Sequence, residues 1–351
     1  MLQGDRLPVA VVGASGYTGA ELVRILLRHP RVRPDGLYAH SHAGELVAAH
    51  FPQFAGRIDE RYRKYDADEV AGRAKLAFLA LPHGESAKVA RELYERGLTV
   101  LDLSADFRLR SASAYQEWYG EHAAPELLAQ ARYGLVERHR GELRGARLIA
   151  VPGCYPTATL LALAPLLDAK LIRSDGIIVD AKSGVSGAGR APSAATHFSE
   201  AGEGVRAYKV AAHRHTPEIE QELERADATG RPLRITFTPH LLPMSRGILA
   251  TCYAAPTDEA RPLADYRAAL RDAYARESFV AVVERPPDTA HLRGSNGVHV
   301  AVFLDERARR VIAMGAIDNL VKGAAGQAVQ CLNAVQGWPE TDGLDGVGVF
   351  P

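Results

Sequence analysis

A chain of 351 residues is long enough for two domains and a sizeable buried core. Its 42 Lys and Arg match 42 Asp and Glu, so net charge draws it neither to nucleic acid nor to an anionic membrane, and no apolar run approaches the roughly 20 residues that span a bilayer. Cys154, Cys252 and Cys331 are odd in number and far apart, and the opening residues lack the apolar core of a secretion signal; the expectation is a cytoplasmic protein with a small-molecule partner.

From Pro8, P-V-A-V-V reads as a short buried strand running into G-A-S-G-Y-T-G and then the helical pattern A-E-L-V-R-I-L-L-R-H. Strand, glycine turn and helix form a dinucleotide site, in which glycines let the backbone approach a pyrophosphate lying on the helix N-terminus. Gly13, Ser15, Gly16, Tyr17, Thr18 and Gly19 are the candidates. Their G-x-x-G-x-x-G spacing departs from G-x-G-x-x-G, so position between strand and helix carries the reading, with an ordinary glycine turn as the alternative. The second strand, G-L-Y-A-H-S-H, is expected to end in Ser41 and His42. An NAD site places an Asp or Glu there for the ribose hydroxyls. Hydroxyl and imidazole suit a 2′-phosphate instead, which points to NADP; a surface loop is the other reading of His40 and His42.

K-L-A-F-L-A-L-P and L-T-V-L-D-L-S read as further buried strands with a helix, E-S-A-K-V-A-R-E-L-Y-E-R, between them. Such alternation predicts a parallel sheet with crossover helices. Pro82-His83-Gly84 and Ser104 to Arg108 follow the carboxyl ends of these strands, where open α/β sheets bind ligands, and are expected to face the cofactor.

Cys154 sits in V-P-G-C-Y-P-T at the entry to the apolar stretch Ala158 to Leu167, the expected N-terminus of a helix. Unpaired N–H groups and the helix dipole favour a thiolate there, and known sites of this kind titrate at roughly 3.5–7.5. A buried cysteine acting as a small hydrophobe is the plain alternative. Beyond it the texture changes to extended stretches at residues 176–180, 233–238, 247–254, 279–283 and 298–304, with helices near 217–225 and 263–275. These predict a mixed α+β domain with a largely antiparallel sheet. In H-R-H-T-P-E, Thr216 is expected to cap a helix that begins at Pro217, with His213 and His215 in the segment delivering the chain to it. Either imidazole, or both, could face a cleft; a surface loop is the other reading, and a metal lacks a third ligand at any useful spacing. The closing stretch D-N-L-V-K-G-A-A-G-Q-A-V-Q-C-L-N-A-V is helix-like from about Gly323 and is expected to return to the first domain.

Taken in order, G-A-S-G-Y-T-G, A-L-P-H-G, L-S-A-D-F-R, V-P-G-C-Y-P-T-A, S-G-V-S-G-A-G-R, H-R-H-T-P-E, S-R-G-I-L-A-T, A-I-D-N-L-V-K-G-A-A-G-Q-A-V-Q and G-W-P-E-T-D-G-L cover nearly the whole chain. In these motifs the chain resembles the N-acetyl-gamma-glutamyl-phosphate reductases of arginine biosynthesis, relatives of aspartate-semialdehyde dehydrogenase. The resemblance implies a Rossmann-type NADP domain (1–153 with 318–351), an α+β catalytic and oligomerisation domain (154–317), and a homo-dimer or homo-tetramer. It implies Cys154 as nucleophile and a histidine of H-R-H-T-P-E as acid/base, His215 ahead of His213. Thiolate attack on the acyl phosphate would form a thioester that NADPH reduces. Arg108, Arg190 and Tyr208 are the substrate-binding candidates, the arginines for their forked grip on anions. Pro82, Ser183, Gly184 and Asn319 are candidates for the nicotinamide side, and Ser186 could add a donor there. A sister reductase acting on carrier-linked aminoadipyl or glutamyl phosphate shares much of the pattern, aspartate-semialdehyde dehydrogenase less, and an NADP-sensing protein would need no nucleophile.

Overall fold

The computed structural model describes residues 6–227 and 229–351. The chain divides into two compact units, Met1–Pro152 with Ala324–Asp345, and Gly153–Gly323 with Gly346–Pro351. The border expected at residue 318 therefore lies at 324, and the tail falls with the second unit instead of the first. Local contacts explain the tail: Val349 N–H donates to the Arg293 carbonyl at 2.9 Å, and Gly348 lies so close to the His291 carbonyl that no side chain would fit.

In the first unit, β1 (Leu7–Val12), β2 (Val32–Tyr38), β3 (Leu76–Leu79), β4 (Thr99–Asp102), β5 (Ala131–Tyr133) and β6 (Leu148–Ala150) form one sheet in the order β2-β1-β3-β4-β6-β5. Every neighbouring pair is parallel. Sheets of this kind are covered on both faces, which is why β3 is a continuous apolar run with all four residues buried. The helix Ser86–Glu95 turns Ala87, Ala90 and Leu93 into a core shared with Ala10, Val12, Ala77 and Leu79. The closing helix, Gly326–Gln336, joins this unit through polar contacts as well as apolar ones. Gln327 Nε2 and Cys331 Sγ both donate to the Gly134 carbonyl, at 2.6 and 3.0 Å, and Asn333 Oδ1 lies 2.9 Å from His29 Nε2.

The second unit carries a seven-stranded sheet of β7 (Ile177–Gly184), β8 (Arg206–Ala207), β9 (Ile235–Leu242), β10 (Ile248–Ala254), β11 (Val280–Val282), β12 (Val298–Asp305) and β13 (Arg310–Ile317), ordered β11-β12-β13-β10-β7-β9-β8. β11–β12 and β7–β9 are parallel and the other four pairs antiparallel, a mixed, largely antiparallel sheet. β13, near the centre of the sheet, and the short β8 were not among the expected strands. The helix Cys154–Asp168 packs on β10, β12 and β13 and is buried from Tyr155 to Leu167. Its approach to β13 is set at Gly315, where any Cβ would overlap the Ala158 carbonyl. Pro165 inside this helix has no N–H to give the carbonyl four residues back. That carbonyl, Leu161 O, takes a 2.5 Å hydrogen bond from buried Tyr274 OH on the helix Leu263–Tyr274. Among the described residues, no helix is long and apolar enough to cross a membrane.

Candidate active site

Cys154 is the first residue of a 15-residue helix whose first turn holds no acidic side chain and whose N-cap, Gly153, offers no side-chain cap. The positive end of the dipole is thus left for the thiol. Two contacts fix its backbone. Gly153 N–H donates to Oε1 of buried Glu218 at 2.8 Å, and Gly323 packs so tightly that a Cβ there would lie 2.7 Å from the Cys154 Cβ. The thiol itself is half-buried.

Glu218 belongs to H-R-H-T-P-E, so that motif both braces Cys154 and supplies the imidazoles. The helix there spans Thr216–Ala226 with His215, not Thr216, as its N-cap, one residue earlier than expected. His213 and His215 stand in a turn, not an extended segment, and Lys209 and Ala211 ahead of them take left-handed φ values of 45° and 54°. This turn folds His213 inward against Tyr155, Tyr208 and Phe237, with ring centroids 5.6, 5.5 and 5.2 Å away, and 4.8 Å from His215. Its Nδ1 accepts the His215 backbone N–H at 3.1 Å, so a neutral ring carries its proton on Nε2. Burial, and after it the charges of Lys209 and Arg214, lower the His213 pKa to about 4. Tyr208 OH donates to Tyr155 OH at 3.1 Å. Burial pushes Tyr208 up to about 12 and Tyr155 well above the usual phenol range, and a charge on Cys154 adds to both. Cys154, Tyr155, Tyr208, His213 and His215 are therefore one cluster.

The three glycines of the first loop do three jobs. Gly13 turns the chain at φ 90° and lies against the Ala80 backbone, and Gly19 packs on the Gly13 carbonyl and Ala14; neither admits a side chain. At Gly16, the N-cap, a Cβ would meet nothing nearer than the Gly13 carbonyl at 3.8 Å, so that open face is where a ligand can approach. The helix Tyr17–Leu26 has no acid in its first turn, which suits a pyrophosphate. Ser15 and Thr18 flank this opening half-buried, and Tyr17 is exposed. β2 ends at Tyr38, earlier than expected, so Ser41 and His42 lie in the turn beyond it. A carboxylate is present there after all: Glu45 Oε2 lies 3.1 Å from His42 Nδ1.

Arg108 is not displayed to solvent. It is buried, with Nε on the Val151 carbonyl at 2.8 Å and an Nη2 on the Leu103 carbonyl at 2.8 Å, and so ties β4's exit to the chain entering Pro152. Around it runs a polar network that sequence reasoning missed. Asp106 accepts from the Gly84 and Ala87 N–H groups and from Tyr115 OH, while Asp102 accepts from Ser86 and Ser104. Burial, then the charge of Asp106, raises Asp102 to about 6. The only advance signal was a pair of acids in a segment otherwise reading as core. The loop of exposed Pro82 is held by this network. In the second unit, buried Ser183 donates to the Gly184 carbonyl at 3.0 Å, and Gly184 is pressed against the backbone of Met244 to Arg246. Asn319 Oδ1 accepts the Gly247 N–H at 2.7 Å and its Nδ2 donates to Ser186 Oγ at 3.0 Å; Arg190 is exposed.

Residues 8–146 match the family described as semialdehyde dehydrogenase, NAD binding domain, and residues 154–319 the semialdehyde dehydrogenase, dimerisation domain. The chain is 49% identical to the N-acetyl-gamma-glutamyl-phosphate reductase of Heliobacterium modesticaldum, over 97% of this chain and 99% of the relative. It is equally 49% identical to that of Citrifermentans bemidjiense, over 98% and 100%. The chain belongs to the N-acetyl-gamma-glutamyl-phosphate reductase family. Solved structures add the fold at longer range. Aspartate semialdehyde dehydrogenase II of Vibrio cholerae aligns with a TM-score of 0.70 at 18% identity over 94% of this chain and 98% of that one. The Candida albicans enzyme, solved with NADP, gives 0.71 at 14% over 94% and 98%. This reductase family accordingly shares the semialdehyde dehydrogenase fold, and the glycine loop lies in the segment matched as NAD-binding.

Proposed function

We propose that this chain reduces N-acetyl-L-glutamyl 5-phosphate to N-acetyl-L-glutamate 5-semialdehyde and phosphate, a step of arginine biosynthesis, through a thioester on Cys154. Near-half identity to reductases of that name over essentially the full length carries the reading. The Cys154 thiolate attacks the acyl carbon, the tetrahedral oxyanion gathers at the helix N-terminus, and phosphate departs with the C–O bond electrons. A bound reduced dinucleotide supplies the hydride that converts the thioester to the aldehyde. His215 gives the proton that the expelled sulfur or the new oxygen needs, and neutral, buried His213 holds the turn on which His215 stands. Tyr155 and Tyr208, both protonated at neutral pH, offer O–H groups beside the sulfur. Arg190 and Tyr208 bind substrate anions, and Arg108 acts by positioning the chain before Cys154.

Gly13, Gly16 and Gly19 hold the dinucleotide pyrophosphate. Ser41 and His42 support NADP over NAD, and Glu45 is the group that argues the other way. A kcat/KM much higher with NADPH than with NADH is expected; equal values would refute the role given to Ser41 and His42. The matched dimerisation domain supports a homo-oligomer as the working particle, and a reducing cytoplasm suits a thiolate nucleophile. The deciding assay runs in reverse, with N-acetylglutamate semialdehyde, NADP and phosphate. Reduced nicotinamide should form only when phosphate is present; an undiminished rate without it would overturn the acyl-phosphate chemistry.

A further inference from the structure

Beyond β2 the chain makes a tight turn in which Glu45 N–H bonds the His42 carbonyl at 3.1 Å, and then a short helix, Val47–His50. The turn is pinned from outside, because Tyr62 N–H donates to the Glu45 carbonyl at 2.9 Å and Val47 N–H to the Glu60 carbonyl at 3.0 Å. This brings together three ligand atoms that the sequence separates: His42, Glu45 and His50 place one donor each within 4.8 Å of one another. A single oxygen, Glu45 Oε2, lies 3.1 Å from His42 Nδ1 and 3.9 Å from His50 Nδ1. Ligands about 2.0–2.1 Å from a tetrahedral zinc stand roughly 3.3 Å apart, so little movement is needed.

One proton position favours the site, at His50, whereas at His42 a bound ion must displace the Nδ1 hydrogen that Glu45 accepts. His50 Nε2 lies 3.3 Å from the Ser15 carbonyl, and because a carbonyl only accepts, Nε2 carries the hydrogen. In the neutral ring this turns the Nδ1 lone pair toward the Glu45 carboxylate, where either a proton or a metal ion can sit between them. An imidazole ligating through one nitrogen and donating its other N–H to a backbone carbonyl is the usual outer support of a metal site. The side chains range from 9% exposed at His50 to 33% at His42 and 52% at Glu45, which leaves solvent an entry path.

We propose that His42 Nδ1, Glu45 and His50 Nδ1 form a binding site for a divalent transition-metal ion of the zinc type, with the remaining position open to water. It shares His42 with the cofactor reading proposed above, and its test is therefore run without dinucleotide.

The test is a Co²⁺ titration of the full-length chain without dinucleotide, in a Cys154→Ala background that removes the competing thiol, read by the visible spectrum of the bound ion. One ion per chain is expected, with His42→Ala and Glu45→Gln each weakening binding by about tenfold or more. His213→Ala, as a control, should leave affinity unchanged. Both informative changes are at solvent-accessible side chains, so the fold is retained. Binding no tighter than about 1 mM, or an affinity that neither His42→Ala nor Glu45→Gln alters, would overturn the site and leave Glu45 and His42 as a surface ion pair.

Discussion

His213 is an uncharged ring at neutral pH, and its burial has a measurable cost in acid. Unfolded, it titrates near 6.5; folded, at about 4. Above pH 6.5 neither state binds the proton and stability is full. As pH falls from 6.5 to 4 only the unfolded state takes it up, so stability drops by on the order of 3 kcal/mol, and no further loss from this group follows below that. Urea midpoints at pH 7 and pH 4.5 should differ less in His213→Asn than in the wild type; equal differences would remove His213 as a source. In catalysis the roles divide. His215→Asn is expected to lower kcat by roughly 10²–10⁴, and His213→Asn, which loosens the turn carrying His215, to lower kcat by less. Cys154→Ser should fold and bind dinucleotide yet lose at least about a hundredfold in turnover, some 2.7 kcal/mol of barrier; retention of more than that would end the covalent mechanism. Cys154 and the two histidines were legible in the sequence because helix punctuation and a Pro-marked start are local. The brace from Glu218 to Gly153 was not, since it joins residues 65 apart, and neither was the inward use of Arg108, whose partners are carbonyls set by tertiary folding.

At the scale of elements, the helix that begins at Cys154 depends on two neighbours. Tyr274→Phe should leave the Leu161 carbonyl, freed by Pro165, without its donor in a buried site, at a cost of about 1–3 kcal/mol; an unchanged melting temperature would show that this hydrogen bond contributes nothing. Gly323→Ala would drive a methyl into Cys154. A fall in kcat of up to about 10²-fold with KM little changed is expected, because small displacements of a nucleophile are costly; wild-type kcat would mean the backbone yields freely. Four strands of the first unit's parallel sheet were legible as short apolar runs cut by glycine and proline; the three-residue β5 and β6 were not. β13 was missed for a physical reason. Gly315 lacks a side chain where the Cys154 helix comes close, and together with the small Ala313 and Ala316 it dilutes the β-branched, alternating signature of a strand. The second strand was read too long because His40 to His42 continue its polarity pattern past the point where the chain turns.

For the whole molecule, the match of residues 154–319 to a dimerisation domain predicts sedimentation as a dimer or tetramer at micromolar concentration; a monomer throughout would contradict it. Nothing in composition separates those two sizes, since assembly is decided by surface shape. The first unit has a further consequence through its construction from both ends of the chain. On a ribosome adding about 5–20 residues per second, the sheet of residues 7–150 emerges roughly ten to forty seconds before the helix Gly326–Gln336 that completes it. Throughout that interval the Gly134 carbonyl lacks Gln327 and Cys331, and His29 lacks Asn333. The nascent chain must therefore hold an unfinished core open while the whole second unit is synthesised, which makes this stage of translation the one most exposed to proteases and most in need of a chaperone.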